Sequence, residues 1–406
     1  MFKYFILILN VIFYSHLFAQ QVSSLEFDAS NATYNSIVQV DSDTYAIAYH
    51  NSSYGGYIRT FTVSSDGTSI SGIAYLRHDT NQGTFNSFVQ VDSDTYVLAY
   101  TGYGNDGFIK TFTIPSNGSS ITQVASLEHD ISNCIFNSLA KVDSDTYVLA
   151  YTGTNDDGFI STFTISANGL TITEVANLEH DTDYGRYNSI VQVDSDTYAL
   201  AYTGADDDGF ISTFTISADG STITEVANLE HDTALGQHNT ITQVDSDTYA
   251  LAYMDNESDG MIKTFTISSD GTSLTNVATL EYDSDIATYN SLLQVDSDTY
   301  VLAYAGDGDD GFISTFTIPA NGSSITEVET LEHDTDKGQF NSLIQVDSDT
   351  YVLAYTGTGQ DGFIKTFSVA SDGSLPVDLS SFSLVSSRSN AMTLEWVTES
   401  EIDNLG

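Results

Sequence analysis

The hexapeptide Val-Asp-Ser-Asp-Thr-Tyr occurs seven times, beginning at Val40, Val91, Val142, Val193, Val244, Val295 and Val346. Every step is 51 residues, with no slippage. A period of that length, held over most of a chain, is the mark of a repeat architecture in which each unit buries its apolar face against its neighbours. The last copy shows how one unit is built. Short strand-like runs at Asn341–Val346, Tyr351–Tyr355 and Phe363–Val369 are separated by Gly, Asp, Asn and Ser, and earlier copies add a fourth, such as Ile223–His231. Strand-forming runs bounded by turn residues, with no helical periodicity, predict four antiparallel strands per repeat.

The second run (Tyr351-Val352-Leu353-Ala354-Tyr355) is apolar at consecutive positions, as in a strand covered on both faces. The fourth run alternates apolar residues with Thr, Glu and Asn, as in a partly wet strand. A four-stranded sheet that is dry inside and wet outside predicts a β-propeller blade. The first three runs occur seven times, and the fourth follows the third only six times. Leu25-Glu26-Phe27-Asp28 aligns with Leu331-Glu332-His333-Asp334, so the N-terminal segment supplies the missing outer strand. The predicted fold is all-β: a seven-bladed propeller over residues 22–373, closed by its N-terminal strand. Leu375–Leu379 competes for that slot, but Pro376 lacks the N–H that a ladder needs.

Both ends differ from the repeats. Residues 1–19 read as a signal peptide, with Lys3, an apolar stretch and Leu17-Phe18-Ala19 before the cleavage point. The expected localisation is therefore secreted or cell surface. Residues 374–406 contain the only Trp, Trp396, and read as two strands with a turn near Arg388–Asn390. Leu375–Val377, Ser380–Phe382, Leu394–Trp396 and Thr398–Gly406 resemble the opening of the immunoglobulin-like module near the C-termini of type IX-secreted Bacteroidota proteins. That resemblance implies a partial β-sandwich-like module and a type IX route. The repeats themselves resemble the blades of large bacterial secreted and surface propellers, which carry an aromatic-aliphatic second strand and a Phe-Ile-led third strand. This likeness implies architecture, because propellers host many unrelated functions.

Fifty-six acidic residues against 10 Lys and Arg leave a formal charge of −46. Such a surface repels phosphate backbones, which excludes nucleic acid as a partner, and it repels anionic membranes. No membrane span and a monomer are expected. Cys134 is the only cysteine, so an intrachain disulfide is excluded. It stands where several other copies have Gly, and it reads as a loop thiol.

Chemistry-bearing residues recur by position. The Asp pair of each Asp-Ser-Asp-Thr (Asp41 and Asp43 in the first copy) reads as a turn cap. The loops after the second strands are acidic, and hard oxygen ligands suit Ca²⁺. Asp206, Asp207, Asp208, Asp307, Asp309 and Asp310 are therefore the first choices for a metal, although the EF-hand spacing is absent. No other cofactor is expected. His78, His129, His180, His231 and His333 share one position at the end of the fourth strand and read as packing residues. Ring-Asn pairs open every first strand: Tyr34-Asn35, Phe85-Asn86, Phe136-Asn137, Tyr187-Asn188, His238-Asn239, Tyr289-Asn290 and Phe340-Asn341. They read mainly as rings wedged between blades, with a collar at the channel mouth as the functional reading.

No catalytic set stands out, because the copies are nearly alike and the arginines (Arg59, Arg77, Arg186, Arg388) are scattered. The fifth repeat departs most, around Met254–Met261. The expectation is a non-enzymatic module that binds or displays a protein or glycan ligand. Its alternative is a polysaccharide-acting propeller enzyme, hydrolase or lyase, dependent on calcium.

Overall fold

The computed structural model describes residues 21–52, 55–370, 379–388 and 391–398. Seven four-stranded antiparallel sheets stand in a ring. In the second blade the order from axis to rim is Thr84–Gln90, Thr95–Thr101, Gly107–Thr113 and Thr122–Asp130. The seventh blade takes Gln339–Gln345, Thr350–Thr356 and Gly362–Ser368 from the end of the repeats and Gln21–Asp28 from the start. Leu25 pairs with Ile364 and Glu26 with Phe363, so the two ends of the repeat region share one sheet. A ring fastened this way leaves no inter-blade face uncovered. The predicted seven blades and their closure are observed.

The alternation in Tyr-Val-Leu-Ala-Tyr explains the packing between blades. Tyr96, Leu98 and Tyr100 pack against Ala46, Ala48 and Ile58 of the blade before, while Val97 and Ala99 receive Tyr147, Leu149 and Tyr151 of the blade after. Large side chains on one face meet small ones on the next, which fills the wedge between splayed sheets. Polar groups tie the innermost strands. The hydroxyl of Ser36 accepts the N–H of Phe88 at 3.1 Å, and the same bond recurs around the ring to Ser342, which accepts from Ile37.

The third strand uses two alternative fastenings. Lys110, Lys263 and Lys365 are buried, and each donates to a His carbonyl of the preceding blade at 2.5 Å. Ser161 and Ser212 stand at the same position elsewhere and bond Glu174 and Glu225 of their own outer strands. The outer-strand residue is Gln123 or Asn276 where Lys is present, so the two positions change together.

The five repeated histidines are packing residues, as expected. His78 stands edge-on to Tyr100 with centroids 4.7 Å apart, and the others repeat this geometry. Burial pushes His78, His180 and His231 down to about 3 and His129 to about 4. The unfolded chain, with ordinary values near 6.5, then binds more protons than the folded one between about pH 6.5 and 3. Stability therefore falls as pH drops through that window, by up to about 1.4 kcal/mol per pH unit for each such group. His180→Phe, which copies the residue at Phe27, should flatten the slope. Urea melts at several pH values in that window check this, and equal slopes in the two proteins would refute it.

Beyond the ring, Leu379–Arg388 and Ala391–Thr398 pair as the expected antiparallel hairpin. The predicted leader at 1–19 lies outside the described residues. Among the described residues no helix is long and apolar enough to cross a membrane.

Candidate functional site at the axial collar

Each innermost strand begins with a bulge. Thr84 pairs with Thr101 and Ser87 with Ala99, so Phe85 and Asn86 together oppose one residue. The same shift occurs at the first strand of every blade. The bulged ring residue adopts a left-handed backbone each time, with φ between 51° and 56°. Bulky residues rarely accept this conformation, which costs on the order of 1 kcal/mol or more at each position. Seven such residues on one axis mark a place where side-chain aim outweighs backbone comfort.

The seven rings close a circle. Adjacent centroids lie 4.3–4.9 Å apart, with interplanar angles of 44–62°. Those angles match the one-seventh turn between blades, which requires ring planes parallel to the axis. At this spacing, rings facing the axis would collide, so they overlap like the leaves of an iris and turn their edges inward. An aromatic edge is the positive part of the ring quadrupole. Behind the rings, Asn86 Nδ2 donates to the carbonyl of Tyr34 at 3.0 Å, and Asn35, Asn137, Asn188, Asn290 and Asn341 make the equivalent bond to the preceding blade. The rings and asparagines line a pocket of about 230 Å³. The rings thus encircle the axis as a collar, and the asparagines satisfy backbone groups, those of the neighbouring blade.

The collar is not sevenfold in its chemistry. Three members carry hydroxyls, Tyr34, Tyr187 and Tyr289. Burial and then the Tyr34 and Tyr187 hydroxyls push Tyr289 up to about 12, and Tyr34 is raised by burial and by Tyr187. All three phenols are raised and stay protonated donors at neutral pH. His238 is the single imidazole in the collar. Its Nδ1 accepts the backbone N–H of Tyr289 at 3.1 Å, which leaves the proton on Nε2. Burial lowers His238 to about 4, so at neutral pH it is an uncharged N–H donor.

Beside His238, the mouth carries an ion cluster. Arg186 Nη2 meets Asp156 Oδ2 at 2.7 Å, its Nη1 lies 3.9 Å from Asp207 Oδ1, and its guanidinium covers Tyr184. Tyr187 is raised by burial, with Arg186 and Asp207 both within electrostatic reach. The other copies have Thr, Ile or Gln where Arg186 stands.

The residues chosen for a metal are divided by the fold. Asp206–Asp208 form a tight turn in which Asp207 O accepts the N–H of Gly236, and Asp309 O likewise accepts from Gly338. Asp208 acts with Asp232 on Glu230, whose carboxyl is raised first by desolvation. Asp310 stands against Glu332, raised by desolvation and then by Asp310. Asp309 acts instead on Tyr289 in the collar. Among the described residues no three His, Cys, Asp or Glu side chains gather as a metal-binding set. The Asp-Ser-Asp turns are caps: Asp92 Oδ1 accepts the N–H of Ser93 at 2.7 Å.

Cys134 lies in a loop, as read from the sequence, and it is buried there. Its Sγ donates to Asn137 Oδ1 at 3.2 Å and lies 3.6 Å from His129 Nε2, and burial raises it well above the usual thiol range. The loop ends there by tucking under the third strand, so closely that a Cβ on Gly185, at the same position, would meet Gly158 Cα at 2.1 Å.

No family model and no curated protein matches the sequence. Solved structures do match the ring. A Bacteroides fragilis protein assigned as a 6-phosphogluconolactonase aligns over 89% of this chain and 99% of its own, with a TM-score of 0.64 and 13% identity. The periplasmic gluconolactonase of Pseudomonas aeruginosa aligns over 78% and 93%, with a TM-score of 0.60 and 13% identity. At that identity the likeness shows the fold. It also overturns the expectation of a non-enzymatic binding module, since both matched rings are described as lactonases. That expectation assumed that near-identical copies offer no asymmetric pocket. Tyr34, Tyr187, Tyr289 and His238 make the lining asymmetric by substitution, with no inserted loop.

Proposed function

We propose that this protein is a hydrolase that opens small lactone rings at the axial collar. The observation that carries this reading is His238, held by the Tyr289 N–H as an uncharged Nε2–H donor in a pocket edged by phenol hydroxyls and positive ring edges. Such a setting suits an oxygen that gains negative charge. A lactone carbonyl does so when water adds to its carbon. Tyr34, Tyr187 and Tyr289 share the developing charge and return a proton to the ring oxygen as its bond to the carbonyl carbon breaks. The proton of the attacking water passes to solvent at the mouth of the pocket.

Pocket volume narrows the substrate. About 230 Å³ lies below the roughly 300–1,000 Å³ of sites for drug-sized ligands and holds one small ring, not a polysaccharide chain. The reaction takes place after export, on the reading of residues 1–19 as a leader. The test is acid release from a six-membered sugar lactone, followed in a pH-stat against the spontaneous rate. Release that rises in proportion to protein concentration supports the reading. A rate no faster than buffer, across several ring sizes, refutes it.

A further inference from the structure

We infer that the collar admits an uncharged lactone and that its acidic mouth expels the product; this rests on the lactonase reading above. The charges at the mouth come from the turns after the second strands. Asp156, Asp207 and Asp309 occupy corresponding positions there, each with positive φ, and Asn105, Ser258 and Gln360 are the neutral residues at the matching places. Arg186 is the cation set against them, and it is already engaged. Asp156 holds it at 2.7 Å, Asp207 stands at 3.9 Å and Tyr184 covers its face.

A phosphate group carries about −1.5 to −2 at neutral pH and is held in proteins by arginine forks with free donors. Here the Asp156 carboxylate takes one nitrogen of the fork, Asp207 stands beside another, and the surrounding chain carries −46. A phosphorylated lactone therefore meets repulsion without a compensating clamp, whereas an uncharged polyhydroxylated ring meets none. Hydrolysis then reverses the balance. Water oxygen bonds to the carbonyl carbon, the ring C–O bond breaks, the ring oxygen leaves as a hydroxyl, and the new carboxylic acid gives its proton to solvent. A neutral molecule has become an anion in an acidic mouth, and repulsion favours its departure.

Asp156→Asn tests this, because Asp156 pairs with Arg186 and has no part in the proposed chemistry. The unmodified protein should hydrolyse an uncharged six-membered sugar lactone with kcat/KM at least about 30-fold above that for its phosphorylated analogue, the scale of a few kcal/mol between charges in a partly buried site. D156N frees one side of Arg186, so it should narrow that ratio and strengthen inhibition by the sugar-acid product. A second measurement needs no variant. Raising ionic strength from about 0.01 to 1 M shrinks the screening length from about 30 to 3 Å, so product inhibition of the unmodified protein should rise with salt. Equal or better turnover of the phosphorylated lactone overturns the inference and leaves the lactonase reading standing. Salt-independent product inhibition overturns the expulsion. Turnover of neither lactone removes the reading and the inference together.

Discussion

Replacing His238 by Phe lowers lactone turnover by about 10²-fold or more, the usual cost of losing one donor to a developing oxyanion. Phe is the ring that this collar already uses at Phe85, Phe136 and Phe340, so the substitution keeps the stacked circle and removes only the imidazole. The left-handed backbone at this position accepts Phe elsewhere in the same ring, with φ of 51–54°. The loss should fall on kcat with little change in KM, because the Nε2–H strengthens its bond only as charge grows on the carbonyl oxygen. His238→Gln, which offers an N–H donor, should recover part of the rate. Steady-state kinetics on the three proteins, with thermal melts to show intact folds, check this. Unchanged kcat in H238F would move the chemistry away from the collar.

Truncating Phe27 destabilises the whole ring by about 3–5 kcal/mol, the range for removing a buried phenyl ring. Phe27 is 3% exposed and lies edge-on to Tyr49 of the first blade at 5.0 Å. It belongs to the cluster joining Val352, Ala354 and Ile364 of the last blade to Tyr45, Ile47 and Tyr49 of the first. Its neighbour Asp28 accepts from the Tyr49 hydroxyl at 2.9 Å and from Asn51 Nδ2 at 3.1 Å, and Arg59 donates to the Phe27 carbonyl. The strand thus seals the one junction that the repeat connectivity leaves open. Urea unfolding of Phe27→Ala should show a lower midpoint. Deleting Gln21–Asp28 should go further, exposing the edge of Gly362–Ser368 and producing oligomers on size exclusion. A monomeric deletion variant with the original midpoint would mean the ring holds without its clasp.

Much of the fold is legible because it depends on short-range patterns. The alternation of Tyr-Val-Leu-Ala-Tyr assigns a face to every residue of the second strand, since side chains on a strand alternate. The match of Leu25–Asp28 to Leu331–Asp334 identifies the closing strand because each blade needs one outer strand and one copy is missing. The Asp-Ser-Asp turns and the packed histidines follow from the same positional logic.

The site was only half legible. The seven ring-Asn pairs stand out in the sequence, yet a bulge is a property of pairing between strands, and only pairing turns those rings to the axis. His238 looks like one more ring substitution until the Tyr289 N–H is seen to dictate its tautomer. Arg186 looks scattered because Asp156 and Asp207 lie 30 and 21 residues away along the chain on either side. The acidic loops read as ligand sets because consecutive carboxylates are close in sequence, but a tight turn points Asp207 and Asp208 to different neighbours. Cys134 lies in a loop, as its place in the repeat implies, and only the contact of that loop with the third strand shows that it is buried.

The sequence by itself determined the number of blades, their strand order and the way the ring closes, because these follow from periodicity and from which faces must leave water. Tertiary structure alone decided that seven separated rings become one collar, which donor each presents, and which charges share its mouth. Those properties arise from distances between residues about 51 positions apart, and no local pattern encodes such distances until the circle is complete.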